Sequence, residues 1–267
     1  QCGNSQDIRF DAEVKDNKLQ ASPIAEMCRN FCNKIWNAAR FVHMNMSERD
    51  VQDPALRTLP DDVSELADRW ILSLCNRTVL QVTQSLDAYR FDEAARGLYD
   101  FVWSAYCDWY VEMAKVRLNG NDAKAREQVQ SILCVVLEGT LRLMHPIAPF
   151  ISEALWQTFP HEGDALIVAD WPTHDDLWLN DTAEREMAQL QEVVGAVRNI
   201  RGTMRIPPGK RVDVVFKTTS SETESILSAA QHYVKELARI ETLTIGADVA
   251  RPSQSASAVV GDTEVFV

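Results

Sequence analysis

The sequence lacks the motifs that mark most self-contained catalytic sites. It contains no G-x-x-x-x-G-K-[ST] phosphate loop, no G-x-G-x-x-G, no G-x-S-x-G and no H-E-x-x-H. Its five histidines have no metal-ligand spacing, and its six cysteines form no C-x-x-C pair. These absences exclude a P-loop NTPase, a dinucleotide-binding domain and a zincin. They favour a binding module without catalytic residues and without a metal site.

Long apolar runs and an excess of basic residues are also missing. No run approaches the roughly 18 apolar residues of a transmembrane helix, so we expect no contact with a membrane. Acidic residues outnumber basic residues by 39 to 27, and the net charge of −12 argues against a uniformly basic nucleic-acid-binding surface. Basic residues are nevertheless concentrated in 23–46 and 195–217, and a local basic patch is what a phosphate-facing surface needs.

Apolar residues recur at helical spacing through the first two-thirds of the 267 residues. Ser22-Pro23 suits the start of a helix, because the missing N–H of proline would be unpaired in the first turn anyway. Short connections between long amphipathic helices are typical of an antiparallel bundle. The pattern predicts helices over 23–46, 61–86, 92–118, 123–144 and 149–159.

The pattern changes near residue 180. Two further helical segments alternate with short runs of strand-like residues. The predicted helices are 182–204 and 222–239, and the predicted strands are 211–216, 243–245, 258–260 and 264–267. The expected fold class is therefore mainly α, with a linker over 1–22, an antiparallel helical bundle over 23–180 and a small α+β module over 181–267.

The first predicted helix has a second face besides its apolar one. Asn30, Lys34, Asn37 and Phe41 fall within one narrow stripe, and Arg40 flanks it. Amides read Watson–Crick edges, cations hold phosphates and an exposed ring stacks on a base, so this set suits single-stranded RNA. A solvated helix face, with the ring covered by a neighbouring loop, explains the same residues. The composition leaves both interpretations open.

Two other helices carry polar stripes that also allow two interpretations. On the third helix, Glu112 and Lys115 flank the apolar stripe, and Val111 is expected beyond them, away from the core. The pair is either an exposed i,i+3 ion pair or the border of a base pocket. On the helix over 182–204, one face is expected to carry three arginines, which either follow a phosphate backbone or pair with carboxylates. These are Arg198, Arg201 and Arg205.

Several segments of the chain resemble valyl-tRNA synthetases. Residues 29–42 read R-N-F-C-N-K-I-W-N-A-A-R-F-V, which is similar to the R-N-F-x-N-K-x-x-N-A-x-R-F signature of that family. The segments A-D-R-W-I-L-S at 67–73, C-D-W-Y at 107–110 and H-P-I-A-P-F at 145–150 follow in the order expected of the family. The resemblance covers nearly the whole chain.

The resemblance implies a class Ia anticodon-binding region that lacks the catalytic, editing and coiled-coil arm domains. Gln1 in place of an initiating methionine is consistent with a piece of a longer protein. The parent enzyme would attach valine to tRNA(Val) with ATP and Mg²⁺, whereas the fragment itself would hold no cofactor and would be inactive alone. The partner implied is tRNA(Val), with no DNA and no membrane. We expect a cytoplasmic monomer.

The family resemblance also assigns roles to residues. Phe41 would stack on one of the middle and third anticodon bases, with Lys34, Asn37 and Arg40 around the pocket and with Val111 and Glu112 closing it. Further candidate contacts are Asn30, Lys115, Arg198, Arg201 and Arg205. Two alternatives remain: an inert synthetase-like scaffold that docks protein partners at Phe41, and the isoleucyl equivalent. The latter would usually carry a C-terminal zinc-binding cysteine cluster, yet all six cysteines lie before residue 135.

Overall fold

A computed structural model describes residues 14–15, 18–19, 23–46, 54–60 and 62–267. Most of the predicted linker over 1–22 lies outside these residues. Its described part is a two-residue hairpin in which β1 (Val14–Lys15) pairs antiparallel with β2 (Lys18–Leu19). Within the described ranges, no helix has the length and apolar character needed to cross a membrane.

The first two long helices are α1 (Pro23–Asn45) and α2 (Leu66–Asp87). The prediction for α1 is confirmed within a residue. Helix α2 begins later than the predicted start at Asp61, a residue outside the described part, and 62–65 are not helical. Glu65 is extended at the α2 N-cap and gives no capping bond, and its carboxylate accepts a hydrogen bond from the Tyr233 hydroxyl at 3.2 Å.

The third helix, α3, is continuous but not uniform. It consists of the α-helical segments Phe91–Asp100 and Val111–Leu118, with a π-helical segment, Phe101–Tyr110, between them. A π-helix closes i→i+5 hydrogen bonds, so each turn holds more residues than an α-helical turn. The predicted span of 92–118 is therefore confirmed, whereas its uniform α-helical period is wrong.

The π-helical segment changes which face of α3 points inward. The α-helical period predicted Trp109 and Val116 in the core, yet both are only partly buried. Val111, which was expected away from the core, is buried and only 5% exposed. That expectation was wrong because the wider turns displace all later residues by about one position relative to 100° per residue. After Val111, the buried residues of α3 are Met113, Ala114, Arg117 and Leu118.

The bundle is completed by α4 (Ala123–Met144) and α5 (Pro149–Trp156). Helix α4 has the predicted bounds and is capped by the Asp122 carboxylate, which accepts a hydrogen bond from the Ala125 N–H at 3.1 Å. Helix α5 ends three residues before the predicted Phe159. Short 3₁₀ turns at Pro54–Arg57, Leu166–Val168 and Asp176–Trp178 lie in the connections.

The last part of the chain adds α6 (Asp181–Thr203), α7 (Ser221–Ala229) and α8 (Gln231–Ala238) to a four-stranded sheet. The strand order is β4-β3-β6-β5, with β3 parallel to β4 and antiparallel to β6. The strands are β3 (Val212–Thr218), β4 (Ile240–Gly246), β5 (Ser257–Val260) and β6 (Thr263–Phe266). These elements confirm the predicted fold class of a helical bundle followed by a small α+β module.

One predicted helix of this module is divided in two. The periodicity predicted a single helix over 222–239, but Ala230 has φ −92° and ψ 11°, which ends α7 and starts α8. No glycine or proline lies between Ser221 and Ala238 to mark the break. The break is therefore a consequence of packing, since α8 contacts both β4 and the last segment of α3.

Helix α6 joins the bundle to the sheet. On one side it contacts α2, where the Arg77 guanidinium lies 2.7 Å from the Asp181 carboxylate and 3.1 Å from that of Glu184. On the other side it contacts α8, β5 and β6. The apolar core is consequently one continuous cluster from Ile35 to Val265. The predicted division at residue 180 falls at the start of this shared helix and stays a prediction.

A buried ion pair holds α3 against α2. The Arg117 guanidinium contacts one Asp68 carboxylate oxygen at 2.5 Å, and the Tyr110 hydroxyl donates to the other at 2.8 Å. Arg117 also donates to the Ala125 carbonyl at the start of α4 at 3.2 Å. Burial raises the pKa of the Asp68 carboxyl, and the guanidinium beside it opposes that shift. The carboxylate therefore depends on Arg117 to remain charged in the core.

The substitution Arg117→Met should strongly destabilise the chain. Removal of one partner leaves the Asp68 charge buried and uncompensated, which costs about 3–5 kcal/mol. Without the guanidinium, folded Asp68 binds a proton at a pH where unfolded Asp68 has already lost it. The free energy of unfolding of the variant should therefore rise as the pH falls from 7 toward about 4. Urea denaturation at pH 7 and pH 5 measures both effects.

Arg185→Met is the matched control, because Arg185 is an exposed arginine of α6. Its effect should stay within about 0.5 kcal/mol, as for most surface substitutions. A loss for Arg117→Met that is the same at both pH values would contradict the role given to Asp68.

Candidate nucleic-acid interface

Helices α1 and α3 hold Lys34 between an anion and an aromatic ring. The Lys34 ammonium lies 2.6 Å from the Asp108 carboxylate and 3.6 Å from the centroid of the Trp103 ring. A cation over the face of a tryptophan is attracted by the electrons of the ring. Lys34 is therefore fixed in position at the surface between the two helices, and Asp108 neutralises part of its charge.

Trp103 is the last ring of a stack of three aromatic side chains. Phe31 of α1 stacks on Tyr99 with centroids 5.2 Å apart, and Tyr99 stacks on Trp103 at 5.5 Å. Such offset stacks add to the free energy gained from burial alone. Trp103 belongs to the π-helical segment of α3, so that segment supplies the aromatic surface beneath Lys34.

Phe41 lies at the other end of the same surface. Its side chain is partly buried against the core, and the Lys115 ammonium lies 5.4 Å from the centroid of its ring. Lys115 is itself 2.5 Å from the Glu112 carboxylate, the i,i+3 pair expected from the sequence. Phe41 is therefore bordered by charged side chains and does not form an open apolar patch.

The remaining predicted residues of α1 face solvent. Asn30, Asn37 and Arg40 are exposed, and Arg40 has no ion-pair partner in the described part of the chain. The structure thus brings the predicted Lys34 and Phe41 together with Glu112 and Lys115 on one surface, with the amides and Arg40 beside them. Val111 is not part of that surface, because it is buried.

Arg198 of α6 extends this surface toward the α+β module. Its guanidinium lies over the Trp109 ring, 5.3 Å from the centroid, and donates two hydrogen bonds to the Leu237 carbonyl at 2.9 and 3.0 Å. Burial lowers the pKa of Arg198, while the nearby carboxylates of Glu112 and Asp108 act in the opposite direction. Arg198 therefore lies beside the acidic residues of α3.

The other two predicted arginines are placed differently. Arg201 is buried and donates to the carbonyls of Arg239 at 3.3 Å, Pro207 at 3.2 Å and Pro208 at 3.4 Å. Its partners are thus backbone carbonyls in the loop after α6 and at the end of α8. Neither interpretation from the sequence, a phosphate contact or a carboxylate pair, included this role. Arg205 is exposed and has φ 53°. Because α6 ends at Thr203, the expectation that Arg205 shares its helical face was wrong.

A polar cleft of about 590 Å³ lies where α3, α6 and α8 meet. It is lined by Glu112, Lys115, Val116, Asn119, Arg198, Glu236, Leu237 and Arg239. Reasoning from sequence missed Arg239, an isolated arginine between two structural elements. It also missed Trp103 and the exposed side of Trp109, because the α-helical period assigned Trp109 to the core. The high number of tryptophans, seven in the chain, was the one available signal.

The surface is suited to binding and shows no set of metal ligands. Among the described residues, no group of three or more His, Cys, Asp or Glu side chains could hold a metal ion. Aromatic rings, amides and cations on one surface match the groups that hold unstacked bases and phosphates.

Comparison with known proteins identifies related sequences. The family described as "Anticodon-binding domain of tRNA ligase" matches residues 68–216, more than half of the chain. A valine–tRNA ligase of Lactiplantibacillus plantarum is 43% identical over 238 residues, which cover 89% of this chain and 26% of that protein. Valine–tRNA ligases of Enterococcus faecalis and Bacillus subtilis are 39% and 38% identical over 98% of the chain.

These matches confirm the family resemblance predicted from the sequence. The chain spans about a quarter of the length of the curated relatives, 26–28% of each. The family match runs from the first turn of α2 into β3, so it covers α2 to α6 and the start of the sheet. Helix α1 lies before it and is covered by the matches to the valine–tRNA ligases of Enterococcus faecalis and Bacillus subtilis.

The structure predicts that replacing Arg201 and replacing Arg205 affect stability to different extents. Arg201→Ala should lower the free energy of unfolding by about 1–3 kcal/mol, because it leaves backbone carbonyls without a donor. Arg205→Ala should change it by less than about 0.5 kcal/mol, since Arg205 is exposed. Urea denaturation of both variants measures the difference. Equal stability of the two would show that Arg201 does not hold the loop after α6.

Proposed function

Because this chain belongs to the valine–tRNA ligase family, in the part that contains the anticodon-binding domain, we propose that it binds the anticodon loop of tRNA(Val). We propose further that the chain recognises the middle and third bases of the anticodon. The observation that carries it is the surface between α1 and α3, where Phe41 lies under the Lys115 ammonium of the Glu112–Lys115 pair. On the same surface, Lys34 of the family signature pairs with Asp108.

Phe41 provides the stacking platform. Its ring is fixed by partial burial on the core side, and the Lys115 ammonium lies over its face. A base can displace that ammonium toward a neighbouring phosphate and stack on the ring. Stacking of a base on an aromatic side chain contributes about 1–3 kcal/mol and tolerates any base. Selectivity must therefore come from polar groups around the ring.

The polar groups that can supply selectivity lie along the same surface of α1 and α3 as the ring. Asn37 and Asn30 are exposed amides that can donate and accept along a Watson–Crick edge. The Glu112 carboxylate can accept a hydrogen bond from the exocyclic amino group of a base, and its ion pair with Lys115 fixes its position. Lys34 and Arg40 supply positive charge for phosphates. Val111 supports this pocket from within the core rather than contacting a base, since only 5% of it is exposed.

The parent protein is proposed to be a valine–tRNA ligase that attaches valine to its tRNA using ATP. The described residues hold no metal-ligand cluster, and the sequence has no ATP-binding motif, so we place ATP and Mg²⁺ in the part of the ligase outside this chain. This chain alone would bind tRNA without aminoacylating it. We place the protein in the cytoplasm as a monomer that binds neither DNA nor membranes.

The substitution Phe41→Leu tests the stacking platform. Leucine keeps most of the apolar contact with the core but has no ring, so we expect the affinity for tRNA(Val) to fall by about 1–3 kcal/mol. Phe41→Tyr keeps the ring and should bind nearly as well as the unaltered chain. Titration at one fixed salt concentration measures all three, because affinities at different salt concentrations cannot be compared.

Phe150→Leu is the matched control, since Phe150 is 90% exposed and belongs to α5, which supplies none of the residues assigned to the pocket. A tRNA(Val) altered only at the middle and third anticodon bases serves as the RNA control. The proposal predicts tighter binding of the unaltered tRNA. Equal binding of both tRNAs, or unchanged affinity of Phe41→Leu, would refute anticodon recognition at Phe41.

A further inference from the structure

We propose that the polar cleft between α3, α6 and α8 binds a backbone phosphate of the same RNA strand, next to the nucleotide stacked on Phe41. The ligand class is a phosphodiester of single-stranded RNA, and Arg198 and Arg239 are the residues that hold it. This inference rests on the proposed function, and it gives the α+β module a direct part in RNA binding.

The cleft is continuous with the stacking platform. Lys115 lines the cleft and at the same time lies over the Phe41 ring, 5.4 Å from its centroid. Glu112 also lines the cleft and bonds to Lys115. Lys115 therefore borders both the Phe41 ring and the cleft. An RNA strand that stacks one base on Phe41 can place its adjacent phosphate in the cleft.

Arg198 is held in a fixed orientation at the cleft. Trp109 supports the face of its guanidinium, and the Leu237 carbonyl accepts from two of its nitrogens. Arginine presents five N–H donors in a planar fork, so donors remain for a ligand after these two bonds. A guanidinium ordered in advance loses less conformational entropy when a phosphate binds.

The balance of charge in the cleft favours an anion. Each acidic group near it already has a cation of its own: Glu236 bonds to Arg211 through both oxygens at 2.8 Å, Glu112 to Lys115 at 2.5 Å and Asp108 to Lys34 at 2.6 Å. Arg198 has Glu112 and Asp108 as neighbours, but neither Arg198 nor Arg239 forms an ion pair within the described part of the chain. Two cations in surplus are notable in a protein with a net charge of −12.

The dimensions of the cleft also suit part of a nucleotide. Its volume of about 590 Å³ falls within the roughly 300–1,000 Å³ typical of small-ligand sites. The cleft lies between the last segment of α3 and α8, and these two elements belong to the bundle and to the module respectively. A phosphate held there would bridge both parts of the chain.

The dependence of RNA affinity on salt tests the proposal. Each phosphate neutralised on a single strand contributes about 0.7 to the slope of log K against log salt concentration. We expect Arg239→Gln to weaken binding of tRNA(Val) and to reduce the magnitude of that slope by about 0.7. Binding of the tRNA altered at the middle and third anticodon bases should weaken by the same factor, because a phosphate contact is blind to sequence.

Arg198→Gln should give the same result, and the full chain is used throughout. Arg239→Gln is the decisive variant because its guanidinium makes no hydrogen bond within the described residues, so the fold should not depend on it. Arg185→Gln is the control, since Arg185 lies 13 residues before Arg198 on α6, about 20 Å away. Its slope should equal that of the unaltered chain.

The outcomes separate this proposal from the proposed function. If the unaltered chain prefers the unaltered anticodon while Arg239→Gln leaves the affinity and the slope unchanged, the phosphate site is refuted and the proposed function stands. If the unaltered chain does not distinguish the two tRNAs, anticodon recognition is refuted, and a reduced slope for Arg239→Gln still supports the phosphate site. If it binds neither tRNA, both are refuted.

Discussion

The buried pairing of Arg117 with Asp68 is the constraint on which the binding surface depends. It fixes the last segment of α3 against α2, and the same guanidinium holds the Ala125 carbonyl at the start of α4. An unpaired charge in this position would be costly, so the segment has one stable placement. Glu112 and Lys115 lie within two turns of Arg117 on the same helix, and their positions relative to α1 follow from it.

The π-helical segment of α3 is the second determinant of the site. It turns Val111 into the core and leaves Trp109 partly exposed, where it supports Arg198. It also supplies Trp103, whose ring lies beneath Lys34. A uniform α-helical period would have placed Trp109 in the core and Val111 away from it. Irregular helical turns of this kind are frequent at functional sites, and here the irregularity assembles the aromatic part of the surface.

The protein is acidic overall, yet its proposed partner is an anion. The positions of individual arginines and lysines explain how both can hold. Arg201 is used inside the fold to hold backbone carbonyls, and Lys34 is partly neutralised by Asp108. Arg40, Arg198 and Arg239 remain without carboxylate partners in the described ranges. Local charge rather than net charge therefore decides where a phosphate can bind.

Sequence periodicity determined the fold class and the bounds of α1 and α4, because these helices follow one uninterrupted period and have clear end signals at Pro23 and Asp122. The helical period of α1 also determined that Lys34 and Phe41 lie on a common stripe. Tertiary structure alone decided that Val111 is buried, that the predicted helix over 222–239 breaks at Ala230, and that Arg239 reaches the cleft beside Arg198. The physical reason is that a helical period describes one element in isolation, whereas a π-helical turn, a break without glycine or proline and a cleft between three helices arise from packing between elements distant in sequence.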